Sequence, residues 1–153
     1  MGSDWKDDLR SLFEDFTIVE TSKRETLEDF NQFCEFIAEP AFESLAEALK
    51  EFKIKAKSQR TKGKSITFQT NFTGMRIDNF QYTIILPKNS IELRLKLQIR
   101  GRRDSRSVME KKEEPFMESV SPQGLLKLRK EDIILDVIRH YRNFVLKALT
   151  SPK

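Results

Sequence analysis

The spacing of apolar residues changes twice along this chain, from a helical period to a period of two and back again. From Trp5 onward, apolar residues recur every three or four positions, which is the spacing of an amphipathic helix. Between residues 52 and 99 they alternate with polar residues, as in strands with one buried face. The helical period returns by Glu131. The chain is therefore limited to helices, then neighbouring strands, then a helix.

Three helical segments are predicted before the strands. Asp4 can cap the first one, Ser22 and Glu25 form a capping-box pattern that predicts a second one, and Pro40 predicts a kink or the first position of a third. The apolar stripe of the first segment is Trp5, Leu9, Leu12, Phe13 and Phe16. The stripe of the second is Leu27, Phe30, Phe33, Cys34 and Ile37.

The alternating region predicts four strands that begin near Phe52, Ile66, Phe80 and Ile91. Turn signals at residues 61–64 and 87–90 are short, and short turns join antiparallel neighbours. Phe116, Met117 and Val120 predict a short fifth strand. Residues 100–115 are polar and densely charged, which predicts a mobile loop.

The last helix completes the predicted fold. Its expected buried residues are Ile133, Ile134, Val137, Ile138, Tyr141, Phe144, Val145 and Leu149. We therefore predict a single domain over residues 1–153 of the α+β class. It would have two layers, an antiparallel meander of four to five strands with the N-terminal helices and the C-terminal helix packed on one face.

Charge is sorted along the chain. Residues 1–51 contain 5 basic and 14 acidic residues, whereas residues 52–106 contain 14 basic and 3 acidic ones. The alternation places basic residues on the uncovered sheet face, where they could bind nucleic acid or another polyanion without reading its sequence. The candidate residues are Lys53, Lys55, Lys57, Arg94, Lys96 and Arg100, with Arg102, Arg103 and Arg106 from the loop.

Two observations favour a simpler interpretation of this basic face. In a meander of four strands the lysines fall on strand one and the arginines on strand four, which are edges, and charged edges prevent aggregation. The strand aromatics also share the apolar face, so the basic face offers no ring on which a base could stack. These aromatics are Phe52, Phe68, Phe72, Phe80 and Tyr82.

No catalytic, cofactor-binding or metal-binding residues are predicted. Cys34 is the only cysteine and lies on a buried stripe, which indicates a core thiol and excludes an internal disulfide. His140 is the only histidine, and Asp136 precedes it by one helical turn. The two could form a base with its orienting group, although a surface pair is the preferred interpretation. One cysteine and one histidine exclude a Cys/His zinc site within one chain.

The preferred functional hypothesis is a non-enzymatic interaction module that binds a protein partner or another copy of itself. Trp5 and Phe13 would be the first contacts if the first helix docks loosely, although core positions for both are the preferred interpretation. Nucleic-acid binding is one alternative, and a small molecule held between sheet and helices is another. The sequence contains no signal peptide or membrane-spanning stretch, so we predict a cytoplasmic protein without membrane contact.

Overall fold

The computed structural model describes residues 4–71, 79–102 and 108–150, and its architecture confirms the predicted α+β class and antiparallel meander. The elements are α1 (Trp5–Phe33), a π-helical turn (Cys34–Ala38), α2 (Glu39–Leu49), a 3-10 turn (Lys50–Phe52), β1 (Lys55–Thr61), β2 (Ser65–Asn71), β3 (Asn79–Ile85), β4 (Lys96–Arg102), β5 (Glu110–Pro115), α3 (Pro122–Leu125) and α4 (Lys130–Thr150). Within the described residues, no helix has the length and apolar character that crossing a bilayer requires.

α1 is one continuous helix, so the predicted second start at Ser22 is wrong. Asp4 caps its beginning, since the Asp4 carboxylate accepts a hydrogen bond from the Lys6 backbone N–H at 3.0 Å. At the predicted boundary, the Thr26 hydroxyl donates to the Ser22 carbonyl at 2.8 Å. No glycine or proline interrupts residues 5–33, and without such a breaker the helix extends through the capping-box pattern.

A π-helical turn lies between α1 and α2, where Pro40 predicted a kink or a new helix. The Glu39 backbone N–H donates to the Cys34 carbonyl, five residues earlier. In a regular helix, the Pro40 ring would clash with the carbonyl of Phe36, and Pro40 has no N–H to donate to it. The wider turn is the kind of irregularity that lets a helix accommodate a proline. α2 then starts with Pro40 in its first turn.

The sheet has the order β1-β2-β3-β4-β5 with every neighbouring pair antiparallel. The fifth strand is Glu110–Pro115, so its predicted position at residues 116–120 is wrong. Residues 100–102 and 110–115, which were predicted to be a loop, belong to β4 and β5. The prediction missed β5 because its six residues include two lysines and three glutamates, and they do not alternate with apolar residues.

Two strands begin later than the alternation predicts. β1 starts at Lys55 rather than Phe52, because Lys53 adopts a left-handed conformation with φ of 59° that reverses the chain after α2. Phe52 is consequently 69% exposed instead of buried. β4 starts at Lys96 rather than Ile91, although Leu93 and Leu95 just before it are buried.

The core lies between one face of the sheet and the helices α2 and α4. Phe42 of α2 packs on Phe68 and Tyr82, with ring centroids 5.3 and 6.1 Å apart. Phe80 contacts Tyr141 of α4 at 5.1 Å. Ile133 and Val137 are buried as predicted, whereas Ile138 is 45% exposed. Leu149 lies outside the side chains that the structure describes.

Candidate interaction surfaces

The first half of α1 extends away from the core. Every residue from Asp4 to Glu20 is exposed, and we call this segment the α1 arm (residues 4–20). Trp5 is 67% exposed and Phe13 60% exposed, so the preferred expectation that both belong to the core is wrong. Further along the same helix, Thr26, Phe30 and Phe33 are buried.

The α1 arm presents an uncovered apolar stripe. Its exposed large apolar residues are Trp5, Leu9, Leu12, Phe13, Phe16, Ile18 and Val19. All except Ile18 fall on one side of the helix, because their spacing follows the helical period. Phe13 and Phe16 contact each other with ring centroids 6.1 Å apart. A continuous exposed stripe of this size is typical of an interaction surface rather than of scattered surface residues.

The basic sheet face is present, but the structure brings together only part of the predicted residue set. Lys55 and Lys57 of β1 and Lys96 and Arg100 of β4 are exposed on the face opposite the core. Arg102, at the end of β4, shares that face. The described strands place no aromatic residue there, since Phe68, Phe80 and Tyr82 are buried on the other face.

The other predicted basic residues lie elsewhere. Lys53 and Arg94 are outside the strands, and Arg94 pairs with Glu92 beside it. Arg103 and Arg106 lie outside the described residues. β4 is an interior strand because β5 pairs with it. The edge explanation therefore fails for Lys96 and Arg100, whereas the lysines of β1 do lie on an edge strand.

Two neutral strands separate the lysines of β1 from the basic residues of β4. Lys57, Gln69, Gln81 and Arg100 occupy one row across four strands. Neighbouring strands lie about 4.8 Å apart, so about 14 Å of neutral surface separates the backbones at Lys57 and Arg100. The basic face is consequently two separate groups of cations rather than one continuous patch.

A groove of about 730 Å³ joins part of this face to the base of the α1 arm. Its charged lining residues are all basic: Lys23, Lys64, Lys88 and Arg100. Its apolar lining residues are Leu27, Ile85, Leu86 and Pro87. Lys23 pairs with Glu20 at 3.5 Å, whereas no salt bridge within the described residues engages the other three cations. We call this site the basic groove.

Sequence reasoning missed the basic groove because its lining residues come from distant parts of the chain. α1 crosses the β1–β2 turn at Gly63, where a Cβ atom would lie 3.4 Å from the Leu27 side chain. Gly63 also has a φ of 70°, a backbone conformation that favours glycine. This crossing places Lys23 beside the sheet, and no local pattern at Lys23 or Lys88 indicates such a position.

The pair Asp136 and His140 is buried rather than on the surface, so the preferred interpretation of this pair is wrong. The Tyr82 hydroxyl donates to one Asp136 carboxylate oxygen at 2.5 Å, and Arg139 donates to the other at 2.8 Å. The His140 Nε2 atom lies 3.6 Å from Asp136 and 3.5 Å from Glu114. Both distances exceed those of a good hydrogen bond.

The protonation of this cluster indicates a structural role. Burial disfavours the charged imidazolium and lowers the pKa of His140, although Asp136 and Glu114 act in the opposite direction. Burial also raises the pKa of Tyr82 well above its ordinary value, so this hydroxyl remains protonated and is a poor nucleophile. The cluster therefore binds α4 to the sheet through Asp136 and contains no activated nucleophile.

Two further predictions concern Cys34 and the space between sheet and helices. Cys34 is buried, and burial raises its pKa to about 12, which confirms the core thiol and makes a thiolate unfavourable. Phe42 and Phe80 contact rings on the opposite layer, whereas a cavity of about 490 Å³ lies between α4 and the strands β4 and β5. A small molecule held between sheet and helices therefore stays a prediction. The described residues hold no group of three or more metal-ligating side chains.

Comparison with protein-family models, curated proteins and solved structures finds no match for this chain. Its function must therefore be inferred from the α1 arm, the basic groove and the buried cluster.

Proposed function

We propose that this protein is a non-enzymatic interaction module and that the α1 arm is its protein-binding element. The observation that carries the proposal is the apolar stripe of residues 5–19, which lies uncovered on a helix whose other half belongs to the core. Leaving Trp5, Phe13 and Phe16 in water forgoes the free energy that their burial would contribute. An amphipathic helix with such a stripe is a common ligand for an apolar groove on a protein.

In-cell photo-crosslinking tests this proposal. A photoreactive phenylalanine analogue replaces Phe13 on the arm or, in a matched control, Leu135 of α4, which is also a large exposed apolar residue. We expect discrete protein adducts from position 13 and only diffuse background from position 135, because the control residue lies outside the stripe. Equal background at both positions would contradict a protein-binding role for the arm.

A second candidate function is the binding of a polyanion such as nucleic acid in the basic groove. It is supported by the four lining cations and the lack of any acidic lining residue, because clustered cations bind phosphates through counterion release. It ranks second because the described strands place no aromatic on this face, and single-stranded nucleic acids usually stack on aromatic side chains.

Fluorescence anisotropy with labelled duplex and single-stranded DNA and RNA tests the second candidate. The variant Lys64→Glu/Lys88→Glu reverses two groove cations, and Lys55→Glu/Lys57→Glu reverses two lysines of the same face outside the groove lining. Polyanion binding in the groove predicts salt-sensitive affinity that the first variant loses and the second largely keeps. No binding by the unmodified protein at low salt would exclude this candidate.

A further inference from the structure

We propose that the basic groove binds the α1 arm of a second copy of this chain, so that two copies exchange arms. This inference rests on the proposed protein-binding function of the arm and names its partner. It follows from the charge of the two surfaces, their apolar residues and the continuity of α1.

The α1 arm and the basic groove carry opposite charge. The arm contains six acidic and two basic residues, whereas each charged residue of the groove lining is basic. Asp8 and Asp15 are seven residues apart and therefore lie along the same flank of the apolar stripe. Opposite charges on the two surfaces favour the pairing of an arm with a groove.

The two surfaces also match in their apolar parts. Leu27, Ile85, Leu86 and Pro87 line the groove, and the arm offers a stripe of aromatic and aliphatic side chains. An arm lying in the groove would place this stripe on the apolar residues and its acidic flank near the lysines. This combination of an apolar centre and a charged rim is typical of protein interfaces.

The continuity of α1 indicates that the arm comes from another copy. Lys23 and Leu27 line the groove and belong to the same uninterrupted helix as the arm. The arm can therefore reach its own groove only if the helix breaks between Glu20 and Lys23. A second copy can supply an arm without any break, and a reciprocal exchange fills both grooves of a closed two-fold dimer.

Two-fold symmetry specifies how the two α1 helices would run. For each arm to lie beside residues 23–27 of the other copy, the helices must be antiparallel. A crossing at Phe16 places Trp5 of one copy opposite Leu27 of the other, because each of these residues lies eleven positions from Phe16. Trp5, the only tryptophan of the chain, would then move from water into an apolar contact.

Sedimentation equilibrium of the purified full-length protein, combined with Trp5 fluorescence, tests the exchange. We expect a monomer–dimer equilibrium with a blue shift of Trp5 emission as the dimer forms, and weaker association at high salt. The groove variant Lys64→Glu/Lys88→Glu and the arm variant Asp8→Lys/Asp15→Lys should each raise the dimer Kd by about tenfold or more. The matched control Lys55→Glu/Lys57→Glu should dimerise like the unmodified protein.

Mixing the two reversed variants provides the decisive measurement. In a mixed dimer, one unmodified arm meets one unmodified groove, and at the other site the reversed charges of the arm meet the reversed charges of the groove. Equal amounts of the arm and groove variants should therefore form a heterodimer although each alone is impaired. A monomer at every concentration and salt would overturn the exchange, as would a dimer that the groove variant leaves unchanged. If position 13 still crosslinks to other proteins in cells, the arm's proposed function stands while its partner assignment falls.

Discussion

The two halves of α1 share one helix and one apolar stripe, yet their environments differ completely. Phe30 and Phe33 are fully buried against the rest of the protein. Phe13 and Phe16, about four turns earlier, are more than half exposed. The pattern of apolar residues is similar in both halves, so the pattern shows which side of the helix can be buried but not what covers it.

This difference indicates what stabilises each half. The buried half is held by packing, and nearby Arg60 of β1 donates to Asn31 of α1 at 3.2 Å and to Glu39 of α2 at 3.1 Å. In the arm, the Asp4 cap and the Asp7–Arg10 pair at 3.6 Å are local interactions within the helix. Local interactions of this kind leave a helix marginally stable in water.

Removing one aromatic ring from each half should give the largest contrast. Phe30→Ala should lower the free energy of unfolding by about 3–5 kcal/mol, because it leaves a cavity in the core. Phe16→Ala, the matched change in the arm, should alter it by no more than about 0.5 kcal/mol. Urea denaturation followed by far-ultraviolet circular dichroism, at low protein concentration, measures both. Similar losses in the two variants would mean that the arm packs on its own chain.

The pH dependence of stability should distinguish the core, which contains His140, from the α1 arm. This effect should be smaller than that of removing an aromatic ring. Because burial lowers the pKa of His140 from 6.5, the unfolded chain takes up a proton that the folded chain resists. The contribution of neutral His140 to the free energy of unfolding is therefore fully present above pH 6.5, and it is lost as the pH falls below that value. Glu114 and Asp136 oppose this shift, while Arg139 and Lys112 reinforce it.

Denaturation between pH 5 and pH 7.5 tests this effect. His140→Gln should flatten the decline of stability on acidification, whereas Phe13→Ala should leave the slope unchanged because Phe13 has no titratable group and is exposed on the arm. The comparison uses the slope of the free energy of unfolding against pH. A general destabilisation by His140→Gln therefore does not affect it. Equal slopes in the unmodified protein and His140→Gln would show that His140 does not cause the decline.

Hydrogen exchange should detect the smallest of these effects, the low free energy needed to open the arm. Amides of residues 9–20 should open with a free energy of about 0–1 kcal/mol in the dilute monomer, while those near Phe30 should approach the global value. Raising the protein concentration should protect the arm if a second copy covers it. Uniform protection along α1 in a dilute monomer would remove the distinction between the halves.

Local patterns predicted the sheet well because strand alternation and short turns are nearest-neighbour properties. Lys55, Lys57, Lys96 and Arg100 lie on the uncovered face as the alternation requires. β5 was misplaced because a charged strand gains its position from pairing with β4 rather than from its own apolar residues. That pairing in turn made β4 an interior strand, which sequence alone did not show.

Where apolar residues follow a clear period, the sequence by itself determined the type of element and which side of it can be buried, because these properties follow from the local period. The charged strand β5 has no such period, and the prediction missed it. Only the tertiary structure decided that the α1 stripe is covered at Phe30 and bare at Phe13, that His140 is buried, and that Lys23 meets Lys64 and Lys88 around one groove. The burial of a side chain and the grouping of charges around one groove depend on which distant segments pack together. That information lies in no single stretch of sequence.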